Sequence, residues 1–204
     1  MSCRRTHCLA LALGATILWA VCAPVLAAET LAMPAGVYVL DNRHTSVTFK
    51  ISHLGFSYFT GRFDRVEGSC DYNPVSPEQS KLDVTVYPAS IDTNDAELDE
   101  TLRGQNWFDV LGHPRATFRA TRIERVGETH AKITGDFTLR NVTHRLTLDA
   151  ELVGTGALPF SETKVMGFRA TGKFNRSDYG MANLEPMIGD EITLQIETEF
   201  DKDM

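Results

Sequence analysis

After Gly36, apolar and polar side chains alternate along most of the chain. A period of two marks a strand with one face buried and the other in water. Val47, Phe49 and Ile51 alternate with Thr48, Lys50 and Ser52, and Leu82, Val84 and Val86 with Asp83, Thr85 and Tyr87. Ala116, Phe118 and Ala120 alternate with Thr117, Arg119 and Thr121. The pattern returns at Ile133, Gly135, Phe137 and Leu139, and at Leu146, Leu148, Ala150 and Leu152. It closes with Met166, Phe168, Ala170, Gly172 and Phe174, then Ile192, Leu194, Ile196 and Phe200. A weaker segment at 59–72, with bends or bulges expected at Gly61 and Gly68, brings the expected strands to eight.

Turn chemistry separates these runs: Asn73-Pro74, Gly127, Arg140-Asn141, residues 154–156 and residues 177–180. Parallel strands would need helical crossovers and would read apolar on both faces, so the sheet is expected to be antiparallel. One stretch departs from the alternation. Asn94 and Glu97 have capping-box spacing, Leu98 and Leu102 lie at i and i+4, and Gly104 follows, which predicts a short helix over 95–103. An aromatic loop, Trp107-Phe108, comes next. A continuous meander of strands this long, each spanning more than roughly 30 Å, favours an all-β closed barrel of eight antiparallel strands with one short helix. Such a barrel holds either side chains alone or one ligand. Gly135, Ala150, Ala170 and Gly172 in the inward rows leave volume for a ligand, so an apolar lumen is expected.

Strand parity then names the lumen wall. It comprises Phe49, Ile51 and His53, then Val84 and Val86, Phe118, Phe137 and Leu139, and Leu146 and Leu148. Phe168, Ala170 and Phe174 follow, with Ile192 and Leu194 on the last strand; Trp107 and Phe108 read either as ordinary core side chains or, beside the mouth, as a lid over a ligand.

The first residues read as an address. Arg4 and Arg5 precede an apolar run at 9–21, then Pro24 and the small residues Ala27 and Ala28. This is the pattern of a secretory signal peptide, 1–27, cut after Ala27 or alternatively after Ala28, with a single domain over 28–204. The expected location is outside the cytoplasm, with no stable membrane anchor. Cleavage would remove Cys3, Cys8 and Cys22 and leave Cys70 alone, so no internal disulfide is expected. Cys70 shares strand parity with Val66 and Tyr72 and reads as a small buried hydrophobe rather than a reactive thiol. The formal charge of −7 argues against a nucleic-acid partner or an anionic membrane surface.

Few side chains suggest catalysis. The chain lacks a glycine-rich phosphate loop and a Gly-x-Ser-x-Gly elbow. His53 and His144 fall on inward rows, His44 and His130 have the opposite parity, and His113 lies in a loop. Scattered singly, they do not suggest a metal site, which needs three or four converging ligands. Asp92, Asp95, Glu97, Asp99 and Glu100 crowd one segment and read as a solvated helix face. The enzymatic alternative is an activity on an apolar substrate, with His53 or His144 as acid/base.

The ordered motifs extend this reading. Asp41-x-x-His44-Thr45-x-Val47-x-Phe49, His53-Leu54-Gly55, Gly61-Arg62-Phe63 and Ser90-Ile91-Asp92-Thr93 come first. Leu102-Arg103, Trp107-Phe108-Asp109, Pro114-x-x-x-Phe118 and Ile133-Thr134-Gly135-Asp136 follow. Leu139-Arg140-Asn141-Val142-Thr143, Arg176-Ser177-Asp178-Tyr179-Gly180 and Ile188-Gly189-Asp190-Glu191 complete the series. Together, over about 37–200, they resemble the YceI-like, polyisoprenoid-binding family. The resemblance implies a lipocalin-like barrel with a long apolar tunnel, exported to the periplasm. It implies non-enzymatic binding, storage or transport of an isoprenoid lipid, a quinone or a polyprenyl phosphate. No cofactor is expected beyond that lipid; transient delivery to a membrane protein and a homodimer both remain open.

Overall fold

The alternating segments form ten strands among residues 33–203, the part of the chain described by the computed structural model. The expected signal peptide lies outside these described residues. The strands are β1 (Gly36–His53), β2 (Ser57–Phe63), β3 (Val66–Tyr72), β4 (Lys81–Val86) and β5 (Ile91–Asp92). Helix α1 (Ala96–Arg103) precedes β6 (Ala116–Arg125), β7 (His130–Leu139), β8 (Val142–Ala157), β9 (Lys164–Asn175) and β10 (Glu191–Lys202).

Neighbours run β10-β9-β8-β7-β6-β4-β3-β1, and β1 also pairs with β10, closing a barrel. Strand β1 is long enough to pair with β3 through its first half (Tyr38↔Cys70) and with β2 through its second (Val47↔Phe63). Strands β2 and β3 are thus one stave, broken at Asp64-Arg65, and β5 extends the stave of β4 by pairing with β2. Counted this way, the wall is the expected mostly-β, eight-stranded antiparallel closed barrel, a meander throughout.

The broken stave faces a shift of register in β1 between Asp41 and Ser46. Asn42 ties the two irregularities together: its Oδ1 accepts from Val66 N (2.6 Å) and its Nδ2 donates to Asp64 O (3.0 Å). The break therefore falls between Gly61 and Gly68, not at either of them. A second expectation also changes. Residues 154–156 are not a turn; β8 continues through a register shift at Gly154 to Ala157. Arg140 and Asn141 do form a tight hairpin, with φ of 50° and 60°, the left-handed pair that a twisted two-residue loop requires.

Helix α1 begins one residue later than the capping-box spacing suggests. Asp95, not Asn94, is the N-cap, its carboxylate accepting from Glu97 N (3.0 Å) and Leu98 N (3.2 Å). The acids of this segment are not all solvated either. Asp99 is buried and accepts from both the backbone N (2.8 Å) and the hydroxyl (2.7 Å) of Thr93. Arg103 donates to Ala89 O and Ile91 O, so α1 is held across the upper end of the barrel, beside the short edge strand β5. Toward the opposite end, Tyr38, Val66, Met166 and Phe200 pack into a dense core cluster.

Candidate functional site

The barrel encloses a cavity of about 680 Å³, within the roughly 300–1,000 Å³ usual for small-ligand sites. It runs the length of the barrel. His53, Leu102, Trp107, Leu184 and Ile188 line it near the upper loops, and Pro77, Ser80, Thr129 and Ala131 near the lower turns. The wall is almost wholly apolar, and no carboxylate among the described residues lines it.

The side chains named above as the lumen wall all stand on it; His144, on an inward row by parity, does not. From β1 come Phe49, Ile51 and His53; from β4, Val84 and Val86; from β6, Phe118; from β7, Phe137 and Leu139. Leu146 and Leu148 come from β8, Phe168, Ala170 and Phe174 from β9, and Ile192 and Leu194 from β10. Trp107 and Phe108 line the tunnel beside α1, where Leu98 and Leu102 also enter. Parity alone missed Phe59, Phe63, Met181, Arg176 and Ile188, which lie on the broken stave or in loops.

The hollow has a specific origin. Ala131, Ala150 and Ala170 are direct cross-strand partners on β7, β8 and β9, and all three face the tunnel. A row of methyl groups across three strands widens the lumen there. The inward glycines do not. A Cβ at Gly61, Gly135 or Gly172 would stand 2.5–2.6 Å from side-chain atoms of Phe49, Phe118 or Leu148 respectively. Neighbouring side chains have already folded over those positions, so the expectation that Gly135 and Gly172 open the lumen is corrected.

The histidines separate. His53 lines the tunnel at its upper end but is otherwise exposed. His144, expected inward, is exposed outside the tunnel. Its row runs past the end of the barrel, where the Tyr179 ring packs against both His144 (5.2 Å) and Phe137 (5.4 Å). Burial pushes the Tyr179 phenol up to about 12, so it stays neutral there. His44 faces outward, 2.6 Å from Asp41, whose hydrogen bond and charge hold its pKa above the ordinary histidine value. Among the described residues no three His, Cys, Asp or Glu side chains converge in a metal-binding group.

Cys70 is unpaired, faces the tunnel, and is pushed up to about 11 by burial, with the Asp71 charge adding to the effect. Alkylation requires the thiolate. At pH 8 iodoacetamide is expected to modify native Cys70 at least about 100-fold more slowly than the urea-unfolded chain. Equal rates, followed by mass spectrometry, would show that the thiol is neither buried nor shifted.

Comparison with known proteins gives a consistent picture. The YceI-like domain profile matches residues 38–200. A UPF0312 protein of Shewanella sp. (strain ANA-3) is 39% identical over 153 residues, covering 74% of this chain and 80% of that protein. A UPF0312 protein of Photorhabdus laumondii is 37% identical over 155 residues, with the same coverage of 74% and 80%. Among solved structures, the YceI protein of Campylobacter jejuni aligns with a TM-score of 0.68 at 31% identity, over 76% of this chain and 91% of its own. BcnA of Burkholderia cenocepacia shares the fold with a TM-score of 0.71 at 20% identity, over 78% and 98%. A polyisoprenoid-binding domain from Saccharophagus degradans, implicated in plant cell wall breakdown, shares it with a TM-score of 0.62 at 15% identity, over 83% and 100%.

Proposed function

The chain belongs to the YceI-like domain family, and from the tunnel through its barrel we propose that it binds an isoprenoid lipid and stores or carries it unchanged. The observation that carries this reading is the wall. It is apolar along nearly its whole length, carries a row of alanines across three strands, and is free of carboxylates among the described residues. Such a surface offers a hydrocarbon chain burial and little else. Each buried methylene contributes roughly 0.8 kcal/mol, so one isoprene unit contributes about 3 kcal/mol before entropic costs. A few units suffice for tight binding.

The shared fold of the Saccharophagus degradans polyisoprenoid-binding domain supports the ligand class. A quinone and a polyprenyl phosphate are the candidate lipids. The enzymatic alternative has little to work with: His144 lies outside the tunnel, and His53 has no carboxylate beside it on the wall. Export to a periplasm, with removal of residues 1–27, is part of the same proposal.

One preparation tests it. The protein recovered from the periplasmic fraction is expected to begin at Ala28 or Glu29 by intact mass. Organic extraction of the same sample should release about one isoprenoid lipid per chain. Repeated preparations with no lipid, and no uptake of added quinone or polyprenol, would end the carrier reading. A mature chain retaining the run at 9–21 would end the export reading alone.

A further inference from the structure

Arg176 is the one cation at least nine-tenths buried among the described residues, and it lies on the wall of an apolar tunnel. It sits at the start of the 3-10 turn after β9. Its Nε donates to Gly189 O (2.8 Å), Nη2 to Ile188 O (2.9 Å) and Nη1 to Met181 O. A guanidinium carries five N–H groups, so these three bonds leave one on each Nη. The Glu185 carboxylate is 3.8 Å from Nη2 and half-exposed. The guanidinium carbon lies 5.6 Å from the centre of the Trp107 ring. His53 forms a β-bridge with Ile188, the residue whose carbonyl Arg176 holds. Arg176 thus stands beside Trp107 and is tied through Ile188 to the end of β1, at the upper end of the tunnel that Trp107 and His53 also line.

We propose that this cluster is the head-group site of the carrier, and that it selects a neutral, oxygen-bearing isoprenoid. The inference rests on the carrier reading and deepens it. Each Nη keeps one N–H outside these hydrogen bonds, and the Glu185 carboxylate at 3.8 Å is an ion-pair partner rather than a hydrogen-bond acceptor, so an oxygen presented from the tunnel can accept there. An alcohol or quinone supplies that oxygen. A phosphate fits less well, because the one fixed cation there already has a carboxylate beside it. Adding two negative charges to that enclosure would leave them unbalanced in a poorly solvated place. With the head at Arg176, the chain extends down past the Ala131–Ala150–Ala170 row.

Three probes with the same carbon skeleton test the site: farnesene, farnesol and farnesyl phosphate, titrated into delipidated protein by calorimetry. The wild-type protein should bind farnesol at least about tenfold more tightly than either of the others, the scale of a hydrogen bond to a charged group. In Arg176→Met, farnesol should lose at least about tenfold more affinity than farnesene, which isolates the head-group contact from any loss common to both through the loop that Arg176 holds. Equal loss of all three probes would make Arg176 a pin for its loop and overturn the head-group site. Glu185→Gln provides a check that leaves Arg176 and its carbonyl bonds in place: farnesyl phosphate should gain about tenfold relative to farnesol. Equal binding of farnesene and farnesol to wild-type protein, or a wild-type preference for the phosphate, would also overturn the inference. Failure of all three probes on wild-type protein would instead remove the carrier reading beneath it.

Discussion

Replacing Ala170 by Trp should empty the tunnel while leaving the ligand-free barrel close to its original stability. Ala170 is nearly buried, faces the lumen, and lies opposite Ala150 on one side and Ile196 on the other. An indole there has one direction to go, into the cavity of about 680 Å³. In a solid core the same change would overpack and cost about 1–3 kcal/mol. In a hollow one the indole takes space that the lipid chain uses. Excluding a single isoprene unit removes roughly 3 kcal/mol of burial, a loss of more than about 100-fold in affinity. Lipid stoichiometry by mass spectrometry should fall toward zero or shift to shorter chains, while urea unfolding of delipidated protein moves little. A destabilised variant with unchanged lipid content would mean that the ligand lies elsewhere.

Parity succeeded on this wall because one face of each strand must be apolar for the barrel to hold together, whatever the lumen contains. Its failures occur where the phase of a strand changes. In β1, Tyr38 and Leu40 are buried on even positions and Val47, Phe49 and Ile51 on odd ones, with the register shift between them. The exposed Val37 and Val39 hide that change, since both faces of the segment read apolar. Strand β6 behaves alike: Phe118 and Ile123 both line the tunnel because the ladder shifts between Ala120 and Arg122. An extra residue at a bulge reverses every side chain beyond it. Alternation records the two phases but not the point of exchange.

The missing parts of the site depend on contacts between distant segments. Arg176 stands in one of the ordered motifs, but the motif does not give it a place on the wall, because its partners are backbone carbonyls of Met181, Ile188 and Gly189, and any sequence supplies carbonyls. His144 was misplaced for a related reason. It continues an inward row, but the lumen ends before it does, at a Tyr179 ring delivered from the loop after β9. The helix was visible in Leu98, Leu102 and Gly104, while its exact cap was decided by which carboxylate reaches the first free N–H groups.

Gly135→Ala should destabilise the barrel without changing how much lipid it holds. A Cβ there would stand 2.5 Å from the Arg119 carbonyl oxygen and 2.5 Å from Cζ of Phe118. The phenyl ring can swing aside. The carbonyl cannot, because Arg119 belongs to β6, paired with β7 at Asp136 next to Gly135. Relief therefore requires one strand to move from its neighbour, at a cost of about 1–3 kcal/mol or more. For a chain of this size that lowers the melting temperature by about 2–4 °C per kcal/mol. Gly172→Ala serves as the control. Its closest contact is the mobile end of Leu148, at 2.6 Å, and the nearest backbone oxygen, that of Thr147, is 3.3 Å away. That variant should lose less than half as much, partly offset by the lower entropy of an alanine-containing unfolded chain. Combining Gly135→Ala with Phe118→Leu distinguishes the two contacts: if the carbonyl is the constraint, removing the ring recovers only a minor part of the loss. Full recovery would transfer the role to Phe118. Since Gly135 does not itself line the tunnel, its stability loss should appear in unfolding curves and not in lipid stoichiometry, the reverse of the result expected for Ala170→Trp.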